Sequence, residues 1–290
     1  MVFSIDMVAQ TPAASEAETE SARSMMAGNE KHVEHMAMNA KAWDAYQPAY
    51  MDLHLKAHPD FFEYLAGGGV YLDGNEVRLA GDVTGLTVLD VCCAGAADEA
   101  FSWENLGANV IACDLSPVAI EIARQNAARL NSRIQFMVAD AQELAPVASD
   151  SVDLVYGRYL CWFEDIEETM RSWFRVTRPG GRLLLSAEHP VSLCLRTEGD
   201  TYRVAWDYGD ESPEYGAFRG TPLADQFGGW QGPQNPAVEF FHPTWRIVNA
   251  ILDAGFGLLR MEEVCRRDAE GARADLPHDL YLLARKPTSA

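Results

Sequence analysis

Three carboxylates stand where short apolar runs stop. Asp90 lies near the end of the run Leu86 to Val91, Asp114 directly follows Asn109 to Cys113, and Asp140 comes just after Ile134 to Val138. Runs of that length and composition predict strands of a parallel sheet. In such a sheet ligands bind in the crevice outside the carboxyl ends of the strands, and an acid there can accept hydrogen bonds from a ribose diol. After Asp90 comes a turn of small residues, Cys92-Cys93-Ala94-Gly95-Ala96, then a helix-like segment closing at Leu106-Gly107. Small side chains let backbone N–H groups approach a ligand. Strand, tight turn, helix, strand and acid together make the plan of a nucleotide-binding βαβ unit.

Two ligand classes share that plan. A dinucleotide site calls for G-x-G-x-x-G at the turn, and this turn holds one glycine. It resembles instead the D-x-G-x-G-x-G turn of the Rossmann-like (class I) S-adenosylmethionine-dependent methyltransferases. Asp90 is in place, and Cys92, Ala94 and Ala96 stand where glycines are usual. Alanine is the mildest replacement where φ stays negative, so the turn is expected to keep its function. Other stretches carry the same likeness: Trp43-Asp44-x-Tyr46-x-x-x-Tyr50, the strand Val152 to Tyr156, the run R-P-G-G-x-L-L-L from Arg178, and the closing segments Pro243 to Ala254 and Leu280 to Arg285.

The resemblance implies an α/β fold: a Rossmann-like seven-stranded, mostly parallel sheet flanked by helices, with a terminal antiparallel strand. It implies S-adenosyl-L-methionine as cofactor. Asp114, with Leu115 beside it, would hold the ribose, and Asp140 would accept from the adenine amino group with Ala141 supplying a backbone contact. The turn from Asp90 through Cys92 and Ala94 to Gly95 would hold the amino-acid moiety. Tyr156 would end its strand beside the methionine half, and Tyr46 would lie on a helix that folds over the cofactor.

The elements that must position these residues follow from pattern. Residues 1–28, rich in Ala, Ser, Thr and Glu, are expected to be a disordered tail, with the methyltransferase domain over 29–290. Residues 29–80 form its helical lid region, with helices over Asn29 to Tyr50 and Asp60 to Leu65. Ser116 caps a helix that Pro117 opens and that runs to Leu130. Residues 190–241 hold many aromatics among Gly, Pro and acids and read as a cap insertion over the site. Such walls suit flat acceptors and, by cation–π attraction, a sulfonium. Trp162, Trp206, Trp230 and His242 are the expected substrate contacts.

A net charge of −20 and the lack of a basic cluster disfavour a nucleic-acid partner. Tyr156-Gly157-Arg158-Tyr159 also stands where base-modifying members of the family carry an (Asp/Asn)-Pro-Pro-aromatic turn. No run of eighteen apolar residues predicts a membrane span, and Met1 to Gln10 is too short and acidic for a secretory signal. The six cysteines lack a C-x-x-C pair and read as buried thiols of a cytoplasmic protein. His32, His35, His54 and His58 lack metal-site company, so no metal is expected. A small-molecule acceptor is the expected partner, with a homodimer a further expectation.

Methyl transfer needs alignment and water exclusion more than a fixed triad, and a base only where the acceptor loses a proton. His189, just past the carboxyl end of a central strand, is the first candidate base; Tyr159, His242 and His278 follow. The function expected is methyl transfer from S-adenosylmethionine to a nitrogen, oxygen or carbon of a small molecule. Two alternatives share the fold: a non-catalytic cofactor-binding or fold-only protein, and a nicotinamide-dependent oxidoreductase.

Overall fold

The computed structural model describes residues 16–198, 201–218, 221–222, 236–265 and 276–288. Five parallel strands build the centre: β1 (Thr87–Val91), β2 (Asn109–Asp114), β3 (Gln135–Val138), β4 (Val152–Gly157) and β5 (Thr177–Glu188). Two more complete the sheet, β6 (Gly257–Val264) and β7 (Asp279–Arg285), in the order β6-β7-β5-β4-β1-β2-β3. β7 runs antiparallel to both neighbours. The expected seven-stranded, mostly parallel α/β sheet is therefore present.

Alternation along each strand divides the core into two layers. Val88, Val110, Leu154, Tyr156 and Leu184 pack on one face; Leu89, Cys113, Val155, Leu183 and Leu185 pack on the other. The first layer is closed by α2 (Phe61–Ala66), α3 (Gly74–Ala80), α4 (Asp98–Asn105) and α5 (Pro117–Leu130). α6 (Ile166–Val176) and α7 (Thr244–Asp253) close the second.

Local chemistry sets the ends of these helices. The Ser116 hydroxyl accepts from the Ala119 N–H, and Asn131 ends α5 in the left-handed region at φ 54°. Asp165 caps α6 through the Glu168 N–H. Sequence reading missed α3, although Asp73 and Glu76 form a reciprocal capping box around it.

α1 is one long helix, Glu16–Ala57, so it starts well before the expected Asn29; residues 1–15 lie outside the described ones. It crosses the carboxyl edge of the sheet. Asp44 accepts from the Ser116 hydroxyl at 2.6 Å and from the Val118 N–H at 3.2 Å, pinning α1 to the start of α5. Asn39 exchanges two hydrogen bonds with the Val238 backbone. In the region expected as a cap, Leu195–Glu198 and Thr201–Val204 form a hairpin, and Glu214–Tyr215 pairs with Val238–Glu239.

Candidate functional site

A cleft of about 530 Å³ opens at the carboxyl edge of β1, β2 and β4, with α1 forming one wall. Ten of the expected site residues line it: Cys92, Ala94, Asp114, Leu115, Asp140, Ala141, Tyr159, Trp162, His242 and His278. Asp114 is buried, and its two oxygens accept from the Ala94 and Ser116 N–H groups, each at 2.9 Å. Burial nevertheless pushes its carboxyl up to about 6, against the pull of those N–H groups. Asp140, on the loop after β3, accepts from His32 Nε2 at 2.8 Å and from the Gln142 N–H at 2.8 Å. Both acids face the cleft, and both keep lone-pair positions for another donor.

The turn between β1 and α4 departs from the expectation that φ stays negative. Cys92 and Ala94 lie in the left-handed region, at φ 60° and 51°, as does Ala97 at 50°; Ala96 does not. This backbone keeps a glycine-type conformation without the glycines. Ala94→Gly should relieve about 1–2 kcal/mol of left-handed strain, against roughly 0.5–1 kcal/mol for glycine's freer unfolded chain. The expected result is a gain of up to about 1.5 kcal/mol in denaturant unfolding; a clear loss would show the turn is not strained there.

Gly95 sits beside α1. Its N–H donates to Gln47 Oε1 at 2.9 Å, and a Cβ built on it would lie 2.9 Å from that same oxygen. Asp90 and Tyr156 are buried under the turn rather than lining the cleft. Tyr156 donates to Glu76 Oε1 at 2.7 Å. Tyr46 packs beside Ala42 and Ala237 in a core cluster of its own.

Several expected residues fall elsewhere. His189 does not line the cleft: it caps the short helix Pro190–Leu193 by accepting from the Val191 N–H at Nδ1, and it donates from Nε2 to Glu263 at 2.9 Å. With both ring nitrogens taken and the ring turned toward β6, it is not placed as a base. Trp206 stacks on the Arg196 guanidinium, 3.9 Å from its ring centre, away from the cleft. Trp230 lies outside the described residues. The aromatic lining includes Trp43 of α1, edge-on to the expected Trp162 at 5.1 Å, and Phe240 and Phe241 from the end of the expected cap.

Two histidines of α1, His32 and His35, do have acidic company. His35 bonds Glu164 at 2.9 Å, and the Asp140 bond to His32 raises the latter's pKa. Donor atoms of His32, Asp140 and Glu143 lie within 4.8 Å of one another. Asp140 is hydrogen-bonded to His32, and Glu143 adds to the electrostatic pull on its ring.

Sequence reading missed Gln47, Glu99, Arg158 and Glu239, all of which line the cleft. Glu99, in the first turn of α4, pairs with Arg158, yet burial and Asp98 push its carboxyl up to about 8. Asp90 is driven well above the usual carboxylate range by burial, then by Glu99 and Asp98. Its Oδ2 and the Gln47 Nε2 are buried without a hydrogen-bond partner among the described residues. An excess of buried acid beside an orphaned amide suits a ligand with a cationic centre and a carboxylate, so the donor set fits the amino-acid end of S-adenosylmethionine.

The sheet order is that of a Rossmann-like methyltransferase fold. The methyltransferase-domain family matches residues 89–185, which span β2 to β4 and most of β1 and β5. A solved S-adenosylmethionine-dependent methyltransferase from Mesorhizobium loti is 25% identical, with a TM-score of 0.58 over 73% of this chain and 96% of its own. A malonyl-[acyl-carrier protein] O-methyltransferase of Yersinia pestis is 32% identical over 38% of this chain and 39% of its own length. A ubiquinone biosynthesis O-methyltransferase of Xanthomonas oryzae pv. oryzae is 32% identical over 46% and 56%. The chain thus spans about half the length of the curated relatives it matches, or less.

Proposed function

We propose that this protein transfers a methyl group from S-adenosylmethionine to an oxygen, nitrogen or carbon of a small molecule. The observation that carries the reading is that Asp114 and Asp140 face one open cleft beside a glycine-type turn. Asp114 would hold the ribose diol, and Asp140 with Ala141 the adenine edge. Gln47, Glu99 and Arg158 would receive the amino-acid end. When bound, the cofactor supplies a methyl group already activated by its sulfonium.

The remaining work falls to alignment and to keeping water out. Trp162, Phe240 and Phe241 wall the acceptor side. His242 donates from Nε2 to the Phe163 carbonyl at 2.7 Å, which leaves the buried Nδ1 lone pair without a partner among the described residues. Burial holds this ring down at about 4, so it stays neutral and can accept a hydrogen bond from the acceptor. Tyr159 is kept protonated, with Glu99 raising its pKa, so it orients rather than removes a proton.

The relatives named as O-methyltransferases favour oxygen. The net charge of −20 favours a small molecule over nucleic acid. No described helix is long and apolar enough to cross a membrane. A cytoplasmic location and a homodimer belong to the same proposal; the buried thiols of Cys93 and Cys113 suit a reducing compartment.

Calorimetry with S-adenosylmethionine, S-adenosylhomocysteine and NAD tests the reading. Binding of the first two and not the third is expected; NAD alone would point to an oxidoreductase, and no binding to a fold-only protein. The same titration has a predicted pH dependence. A diol donates best to ionised Asp114, whose pKa is about 6, so affinity should hold above that value and weaken by up to about tenfold per unit below it. The group's effect on the ligand-free fold has the opposite sign. Its pKa is raised above the ordinary 3.8, so its stabilising contribution is complete below 3.8 and is lost as pH rises through 6. A flat affinity from pH 5 to 8 would remove Asp114 from the cofactor contact.

A further inference from the structure

Glu239 is a carboxyl placed like a reacting group and used by nothing in the fold. It sits on the two-residue strand Val238–Glu239, lines the cleft and is 4% exposed. Its Oε2 is buried with no hydrogen-bond partner among the described residues. Leaving a buried carboxyl oxygen unpaired costs several times what a satisfied one does, so a structural role does not explain it. The strand is fixed from two sides: Asn39 brackets Val238, and the Phe240 N–H donates to the Cys161 carbonyl at 2.8 Å. The walls beside it, Trp162, Phe240 and Phe241, are flat and apolar.

We infer that Glu239 is the general base of the methyl transfer and that the acceptor is a phenolic hydroxyl. This rests on the methyl-transfer reading above and names its acceptor class. The acceptor oxygen's lone pair forms the bond to the methyl carbon while the carbon–sulfur bond breaks, its electron pair passing to sulfur. The O–H proton goes to a Glu239 carboxylate oxygen. Methyl ether, neutral thioether and protonated Glu239 result, and Glu239 then returns its proton to solvent.

The titration of the site agrees with that geometry. Burial, then Glu214 across the strand pair, pushes Glu239 up to about 8. The other titratable groups near it are Cys161 on the loop after β4, His242 further along its own segment, and His35 of α1, whose ring lies 5.5 Å from that of Phe240. A base of that strength matches a phenol, whose own pKa is near ~10, far better than an aliphatic alcohol. His242, held neutral, is too weak a base for the step but is placed to accept from a neighbouring hydroxyl.

The test uses the full chain with catechol, caffeate and 4-nitrophenol as acceptors, against aniline and benzylamine. A phenol should be methylated, with kcat rising through an ionisation near 8. Glu239→Gln should cut kcat by about 10²–10⁴-fold and abolish that pH limb, with S-adenosylhomocysteine affinity within about twofold of wild type. Infrared difference spectra of the cofactor-free protein between pH 6 and 10 should lose one carboxyl titration in the same variant. If Glu239→Gln does not fold, Glu239→Asp carries the test, with kcat lowered but the pH limb retained. Turnover of amines only, of no phenol, or a Glu239→Gln enzyme with unchanged kcat overturns the inference while leaving methyl transfer standing. Failure of the wild type to bind S-adenosylhomocysteine overturns both.

Discussion

Asp114→Ala is expected to weaken S-adenosylhomocysteine binding by one to two orders of magnitude, the equivalent of roughly 1.5–3 kcal/mol for hydrogen bonds to a charged acceptor. The side chain also organises the cleft. One of its oxygens holds the Ala94 N–H, in the left-handed part of the turn, and the other holds the Ser116 N–H at the start of α5. Removing both acceptors leaves those donors buried, so the variant should also lose about 1–3 kcal/mol of stability. Asp114→Asn separates the two effects. It keeps one oxygen for a backbone N–H but turns an NH₂ toward either the other N–H or the diol. Its affinity should fall nearly as far as the alanine variant's, with a smaller loss of stability. Calorimetry beside thermal unfolding reads both, and unchanged affinity in either variant would remove Asp114 from the ribose contact.

The frame of this site was legible because it depends on local signals. A buried strand reads as an apolar run, and the position just past its end reads as the ligand edge, so Asp114 and Asp140 could be placed from order alone. Helix α5 announces itself through Ser116 and Pro117. What could not be read was where side chains turn once strands are packed. His189 follows a central strand as a base would, yet it caps a helical turn and faces Glu263 on the outermost strand. Cys92 and Ala94 look like mild replacements only if φ is negative, and φ belongs to the folded turn.

Glu239 and Glu99 were invisible for a related reason. Each is an acid among many in a chain with 43 acidic residues, and only burial by elements distant in sequence sets it apart. Among the described residues, the aromatics of the insertion that reach the cleft are Phe240 and Phe241, at its end. Trp206 and Tyr215 engage Arg196 and His35, while the cleft takes Trp43 from α1 and Trp162 from the loop after β4.

Trp173→Ala tests whether the fold's second core layer and the cleft are one mechanical unit. The Trp173 ring is fully buried, meets Phe163 edge-on at 5.4 Å, and fills the space above Gly157, where a Cβ would come within 2.4 Å of it. Its Nε1–H donates at 2.8 Å to the carbonyl of Ala141, beside Asp140. Truncation removes a large buried ring and leaves a cavity, so stability should fall by about 3–5 kcal/mol, a large share of the roughly 5–15 kcal/mol typical of a domain. The denaturant midpoint should drop with little change in slope.

Trp173→Phe keeps most of the ring but leaves the Ala141 carbonyl without its donor. Its stability loss should be the smaller, while the Asp140 loop loosens and cofactor affinity declines. Gly157→Ala approaches the same contact from the strand side and should destabilise by overpacking, about 1–3 kcal/mol. If Trp173→Phe binds S-adenosylhomocysteine as wild type does, the loop holds its position without the indole. Its other ties, His32 and Gln142 at the Asp140 carboxylate and Ser172 and Arg175 at the carbonyls that follow, would then suffice.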